Sequence, residues 1–355
     1  MIFADNLQRL SIILLLIAGF ISAIISDVKL PTLVMLFLLL VYLANYKINV
    51  RYFIVAIFFL LITVVISIFN SFDTMFYAVY LIMFTLLYYV GVKAFNVDLF
   101  LQDSWIISSI NFFTICFFAF VFIAFILGLD TNTLLPTGSR NSLGVLILAM
   151  GSLSYLLSRK FRYVFLVGII ILLLLLGGRT NWLAAFLIGI YVVLVLVDSK
   201  TLNIFLCGLA FLSLVIIEKM LGLDSFFNLL FYNEAGTAIG LRSSRSVVWE
   251  QWFENITFVK FIFGFSLSEL PFVIWKLNGN PHNSYILIHS YTGILSIFFF
   301  CWLIYKWLTI SWKVSFFIGL LLVKGFFDTV LMPSSLDVFM LFFLFIGHYE
   351  KVRNI

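Results

Sequence analysis

Long apolar runs follow one another along almost the whole chain, and most of them contain no charged residue. A helix that crosses the hydrocarbon core of a bilayer needs about 20 apolar residues. Twelve segments approach this length: 10–26, 30–46, 52–69, 75–92, 104–128, 143–158, 164–177, 181–197, 202–217, 284–305, 314–327 and 334–349. The pattern predicts an all-α polytopic membrane protein with about 12 transmembrane helices, forming a single integral membrane domain over residues 1–355.

The composition agrees with a membrane protein. Of 355 residues, 64% are hydrophobic and 10% are charged, whereas soluble domains are about 45–50% apolar and about 25% charged. This balance excludes a soluble globular protein, a disordered chain and a disulfide scaffold. The three cysteines lie inside apolar runs, so the sequence predicts no disulfide and no metal site. No run of like charges indicates a nucleic-acid partner.

The basic residues predict the orientation, because Lys and Arg concentrate in cytoplasmic loops. With the N-terminus in the cytoplasm, twelve of the 21 Lys and Arg residues lie on the inner side and nine on the outer side. Five of those nine fall in one long outer loop, residues 218–283, where the rule has little weight. The sequence therefore predicts that both termini are cytoplasmic.

The outer loop contains two amphipathic patterns. Apolar residues recur at helical spacing at Val248, Trp249, Trp252, Phe253 and Ile256. Glu250 and Glu254 take the opposite face. This pattern predicts an amphipathic helix lying on the membrane or on the bundle. Residues 224–232 form a second, weaker pattern of the same kind.

Four arginines map to the outer side: Arg140, Arg179, Arg242 and Arg245. Arg140 and Arg179 each precede a span whose N-terminus faces outward, with Ser139 or Ser142, and Thr180 or Asn181, as candidate caps. Helix N-termini and guanidinium groups both favour phosphate oxygens. Such arginines also reach lipid phosphates in proteins that bind no substrate there. Gly177 and Gly178, likewise, could be a helix stop only.

Ionisable residues are absent from the middle of the predicted spans. Ion-coupled transporters usually keep such residues at depth, where they carry the coupling ion. The sequence therefore argues against a transporter.

Histidines mark the start of the tenth predicted span. Pro281-His282-Asn283 lies at its outer end, where a histidine can act as a general base or be simply solvated. His289 lies seven residues further on, deeper on the same face, and is interpreted as a packed or hydrogen-bonding residue.

Three motif blocks resemble the O-antigen ligase and O-antigen polymerase superfamily of bacterial membrane glycosyltransferases. They are GGRTNWLAAFLIG at 177–189, Arg245 followed by Trp249 and then FGFS at 263–266, and His282-Asn283 with Gly293 eleven residues after the histidine. The family often has a second glycine where this chain has Ser266, and many relatives have an acid near Tyr291. TGSRNSLG at 137–144 resembles the family only loosely.

The resemblance implies a fold, a reaction and partners. The fold would be similar to the C-type glycosyltransferases, in the bacterial inner membrane, with the loop at 218–283 periplasmic. The substrate would be an oligosaccharide linked to undecaprenyl diphosphate, handled without a cofactor or metal. Membrane lipids and a chain-length regulator protein would be further partners.

The resemblance also implies site residues. Arg179 and Arg245 would neutralise the diphosphate, with Arg140 and Arg242 in support. His282 would take the proton from the acceptor hydroxyl with inversion at the anomeric carbon. Asn283 and Trp249 would bind substrate.

Three functions stay open on this basis. A polymerase, which joins lipid-linked repeat units, is favoured by the short, Phe-rich chain and the small outer loop. A ligase would transfer the glycan to lipid A-core. A lipid-linked oligosaccharide flippase belongs to a different class and would need a polar central cavity.

Overall fold

The computed structural model describes residues 13–14, 16–21, 29–45, 50–69, 72–94, 104–135, 140–158, 161–196, 244–277, 281–327, 331, 334 and 336–353. Within these residues the chain is helical, with no strand. The helices are α1 (Lys29–Asn45), α2 (Val50–Phe69), α3 (Phe72–Ala94), α4 (Ser104–Ile126), α5 (Arg140–Leu157), α6 (Arg162–Leu176), α7 (Arg179–Leu196), α8 (Ser244–Asn255), α9 (Phe258–Phe263), α10 (Pro271–Leu277), α11 (Ser284–Thr292), α12 (Ile294–Thr309), α13 (Trp312–Phe327) and α14 (Asp337–Arg353). A single 3₁₀ turn, Leu267–Glu269, lies between α9 and α10.

The helices follow the apolar runs closely. Nine of the twelve predicted segments coincide with one helix each, with ends that agree within about four residues. The first segment is helical at 13–14 and 16–21, where it is described, and the ninth, 202–217, lies outside the described residues. Two described stretches, Met75–Val92 and Trp105–Ile126, are long and apolar enough to cross a membrane, and six further apolar helices are shorter.

The tenth predicted segment, 284–305, was expected to be one helix and is two. Gly293 has φ 52° and separates α11 from α12. The backbone carbonyl of Ile262 lies where a Cβ on residue 293 would be, so only glycine fits both the conformation and the contact. The break therefore depends on a neighbour far away in sequence.

The core of the bundle is built around α14 and α5. Residues Val338 to Ile346 are all buried in α14, and so are Leu143 to Ala149 in the first half of α5. A helix that is apolar and buried all round lies at the centre of a bundle. Helices α13 and α3 pack against this centre.

The outer surface is also apolar. On α2, Ile54, Phe58, Leu61 and Ile68 are each about 60–70% exposed. Soluble proteins rarely expose contiguous apolar faces of this kind, and such a face suits contact with hydrocarbon.

The outer-loop residues 244–277, called the loop segment below, pack onto the bundle. Val248, Phe265 and Leu270 form a small buried cluster with Ile286 of α11. The predicted helix is confirmed over residues 248–255 as part of α8, which ends one residue before Ile256. Of the two predicted locations, the membrane surface and the bundle, α8 packs on the bundle. Phe253 was predicted to share the apolar face of this helix, but its side chain is 62% exposed and does not join the buried cluster. The weaker pattern at 224–232 lies outside the described residues.

Candidate functional site

The N-termini of α5 and α7, which carry Arg140 and Arg179, lie side by side. Thr180 Oγ1 donates a hydrogen bond to Asn141 Oδ1 at 3.3 Å. A Cβ on Gly144 would overlap the amide of Asn181, so a glycine at 144 permits this close approach. The structure thus places the helix starts that carry Arg140 and Arg179 next to each other.

The start of α7 differs from the predicted capping. Its N-cap is Gly178, whose carbonyl accepts from Asn181 N at 3.1 Å and from Trp182 N at 3.0 Å. Gly178 has φ 83°, a conformation that glycine adopts without strain. Thr180 and Asn181 lie inside the helix and are not its N-cap, and Ser142 lies inside α5 in the same way. Ser139 lies outside the described residues.

Asn181 joins α7 to a buried lysine. Its Nδ2 donates to Gly177 O at 2.9 Å, and its Oδ1 accepts from Lys324 Nζ in the last turn of α13. Asn181 is fully buried and Lys324 is 3% exposed. The side-chain nitrogen of Lys324 therefore lies buried close to two helix N-termini, and a protonated Lys324 would add positive charge to this end of the bundle.

The other two motif blocks reach the same end of α13. Asn283 Nδ2 donates to Phe326 O at 2.9 Å, and Tyr285 OH donates to Leu322 O at 2.8 Å. From the loop segment, the Trp249 ring stacks on the Phe326 ring with centroids 6.1 Å apart. All three blocks therefore meet the stretch from Leu322 to Phe326.

His282 precedes the N-cap of α11 in an unusual conformation. It is half-buried and has φ 47°, and among the described residues it is the one non-glycine residue with positive φ. Asn283 is the N-cap, with Oδ1 accepting from Ile286 N at 2.9 Å. Strained backbone of this kind costs about 1–3 kcal/mol and is concentrated at functional sites.

The predicted arginines differ in how much of them is described. Arg140 and Arg179 are the first residues of α5 and α7, and Arg245 is the second residue of α8, one turn before Trp249. The orientation of these three side chains and the whole of Arg242 lie outside the described residues.

Two buried charges were missed by the sequence reasoning. Besides Lys324, Asp337 at the start of α14 is fully buried. Its Oδ2 accepts from Tyr80 OH at 2.7 Å and from Ser334 N at 2.6 Å. Both residues stand three positions inside the end of an apolar run, away from its middle, where the sequence analysis looked for ionisable residues. The signal in the sequence was the position of each residue within an apolar run, because a charged residue in a loop would lie outside the run.

His289 is buried, as the sequence predicted for a packed or hydrogen-bonding residue. Its Nε2 lies 3.1 Å from Phe261 O in α9. Among the described residues, no group of three or more His, Cys, Asp or Glu side chains is placed to hold a metal ion.

Comparisons with protein-family models, with curated proteins and with solved structures find no match for this chain. The resemblance of the three motif blocks to the O-antigen ligase and polymerase superfamily therefore stays a prediction, and the functional argument depends on the residues of the site.

Proposed function

We propose that the chain is a polytopic membrane glycosyltransferase whose donor is a glycan on a polyprenyl diphosphate. More particularly, it is an O-antigen polymerase of the bacterial inner membrane, joining undecaprenyl-diphosphate-linked repeat units at the periplasmic face. One observation carries the proposal: the three motif blocks, far apart in sequence, meet around residues 322–326 of α13.

The proposed alternation of the spans is supported by which helix ends lie together. Predicted outer ends are the starts of α5, α7, α11 and α14 and the end of α13. The contacts of Asn181 with Lys324 and of Asn283 with Phe326 join three of these ends. Tyr80, near the predicted outer end of α3, contacts Asp337 at the start of α14. These contacts agree with the alternating direction predicted for these spans.

The chemistry requires positive charge at this end. Transfer forms a bond between the acceptor oxygen and the anomeric carbon, and it breaks the bond between that carbon and the diphosphate. The leaving group is an anion, which preorganised cations and helix N-termini stabilise. In the proposal, Arg179 and Arg245 contact the diphosphate, and Arg140 and Arg242 support them. Lys324 adds a charge whose position is fixed by Asn181.

The proton of the acceptor hydroxyl goes to His282, which acts as general base. Attack from the side opposite the leaving group inverts the anomeric centre. Asn283 is 2% exposed, and its side chain is bonded to Phe326 O and Ile286 N. We therefore assign Asn283 to positioning His282, with Trp249 left as the substrate-contacting residue of α8.

The test is extension of a synthetic undecaprenyl-diphosphate repeat unit by the full-length protein in lipid nanodiscs, with and without a chelator. The wild type should extend the substrate in both conditions. Arg179→Ala should reduce extension about 10²-fold or more, because one preorganised charge at the leaving group is lost. Lys313→Ala, an exposed cation at the predicted inner end of α13, is the matched control.

A deletion strain separates the competing functions. Loss of a polymerase leaves one repeat unit attached to lipid A-core on a lipopolysaccharide gel. Loss of a ligase leaves lipid-linked polymer and bare core, and loss of a flippase leaves repeat units on the cytoplasmic face. Either of the last two results, or normal extension by Arg179→Ala, refutes the polymerase proposal.

A further inference from the structure

An apolar groove of about 380 Å³ lies at the lateral surface of the bundle, between α2, α3 and α12. Val55 and Phe298 line it from α2 and α12 and are 51% and 52% exposed, so the groove is open on this side. An apolar cavity of about 150 Å³ is enough to bind benzene. The groove therefore has room for a longer hydrocarbon.

The groove exists because large aromatic side chains separate α12 from α3. The rings of Phe84 and Trp302 lie between these helices with their centroids 6.4 Å apart. On the other side of the break at Gly293, α11 packs directly on α3, and Tyr77 stacks on Tyr291 with centroids 4.3 Å apart. The groove therefore begins at the break and extends towards the predicted inner ends of the helices.

The polar groups of the lining have partners within the protein. Thr85 Oγ1 donates to Leu81 O at 2.8 Å, and Tyr89 OH accepts from Trp302 Nε1 at 3.0 Å. The rest of the lining is aliphatic and aromatic. The groove thus offers apolar burial rather than a pattern of polar groups, which suits a hydrocarbon chain.

The predicted outer end of the groove is closed. There, Ala78 and Leu295 are buried together with Ile66, and Phe263 packs against these three side chains. This cluster lies between the groove and the loop segment. From Ala78 to Tyr89 the groove follows α3 over about 16 Å, at 1.5 Å per residue.

A lysine stands at the predicted inner end of the groove. Lys306 Nζ lies 5.0 Å from the ring centroids of both Tyr88 and Tyr89, and aromatic faces attract a cation at this distance. None of the described acidic residues forms an ion pair with Lys306. Glu350, at the same end of the bundle, accepts instead from Ser311 Oγ at 2.6 Å. Cationic side chains between helices on the cytoplasmic side bind anionic lipid headgroups.

We propose that this groove binds an anionic glycerophospholipid of the inner leaflet, with one acyl chain along α3 and the headgroup phosphate at Lys306. The other candidate occupant is the isoprenyl chain of a polyprenyl diphosphate. Its phosphates would lie at the predicted outer end, from which the cluster around Ile66 separates the groove. The inference goes beyond the proposed function, because this lipid is neither donor nor acceptor.

Two sets of variants test the headgroup and the acyl chain separately. Lys306→Gln removes the positive charge and Lys306→Arg keeps it. Their matched control is Lys313→Gln, an exposed cation at the predicted inner end of α13. Val55→Trp fills part of the groove. Its matched control is Val65→Trp, because Val65 is similarly exposed on α2, at 47%, and does not line the groove.

The measurement is thermal unfolding of the purified full-length protein in phosphatidylcholine nanodiscs with increasing fractions of phosphatidylglycerol. Phosphatidylglycerol should stabilise the wild type, Lys306→Arg and both controls. The fraction needed for half of this effect should rise about fivefold or more in Lys306→Gln, because one headgroup contact is lost. Val55→Trp should raise it at least as much. Unfolding in phosphatidylcholine alone measures any effect of each substitution on the fold itself.

A parallel series with undecaprenyl phosphate identifies the occupant. The proposal is wrong if phosphatidylglycerol stabilises the wild type no more than phosphatidylcholine does, or if Lys306→Gln and Val55→Trp respond as their controls do. It is also wrong if undecaprenyl phosphate, and not phosphatidylglycerol, gives the stabilisation that Val55→Trp removes, because the occupant is then an isoprenyl chain. No catalysis is measured, so this result and that of the Arg179→Ala extension assay are independent.

Discussion

Lys324→Met tests whether the buried lysine serves the reaction or only the fold. Methionine has a similar length and no charge, so the packing around residue 324 changes little. The substitution removes the donor to Asn181 Oδ1 and the positive charge beneath the starts of α5 and α7. The two consequences are separable, because one appears in stability and the other in turnover.

The stability change is expected to be small. A hydrogen bond from a charged group contributes about 1.5–3 kcal/mol, and its loss leaves the fully buried Asn181 Oδ1 without this donor. Against this, the variant no longer has to desolvate an ammonium group that is 3% exposed. The net loss in free energy of unfolding should be about 0–2 kcal/mol. Turnover should fall about 10²–10³-fold, the usual effect of removing one preorganised charge.

The assays are chemical unfolding of the nanodisc-embedded protein and extension of the lipid-diphosphate repeat unit. Asn181→Leu and the double variant complete a cycle, whose coupling in stability should be about 1.5–3 kcal/mol. Lys313→Met, exposed at the other end of α13, should change neither quantity. Near wild-type turnover in Lys324→Met would refute the reasoning, as would recovery of turnover in the double variant.

Two further substitutions test the geometry of the site. Gly144→Ala places a Cβ on the Asn181 amide and should cost about 1–3 kcal/mol in unfolding experiments, whereas Gly189→Ala, with open space around it, should be neutral or stabilising. Normal stability of Gly144→Ala would contradict the close contact. His282→Ala and His282→Gly should lose turnover equally, with donor affinity less affected. The glycine variant should be the more stable by about 1 kcal/mol, because φ is 47°. Retained turnover in either removes His282 as the base.

The positions of the helices could be read from the sequence because they depend on local patterns. Apolar runs give the ends of nine helices within about four residues, and the spacing of Val248, Trp249 and Trp252 gives α8. The break at Gly293 could not be read, because it depends on the Ile262 carbonyl approaching from another element. For the same reason, the sequence alone left α8 either on the membrane or on the bundle.

The motif residues could likewise be found in the sequence. The contacts that bring them together could not. Arg179, Trp249 and Asn283 stand in three separate blocks, and nothing local shows that they meet. Lys324 stood in no motif, and its burial becomes visible only when α7 and α13 pack together around Asn181.

Local pattern was enough to predict the helices of the described residues and the segments that prefer hydrocarbon, since partition and helix formation depend on neighbouring residues. The packing of distant helices set which helix ends share one end of the bundle and which ionisable residues lose contact with water. Those properties depend on contacts between residues far apart in the chain, which no local pattern contains.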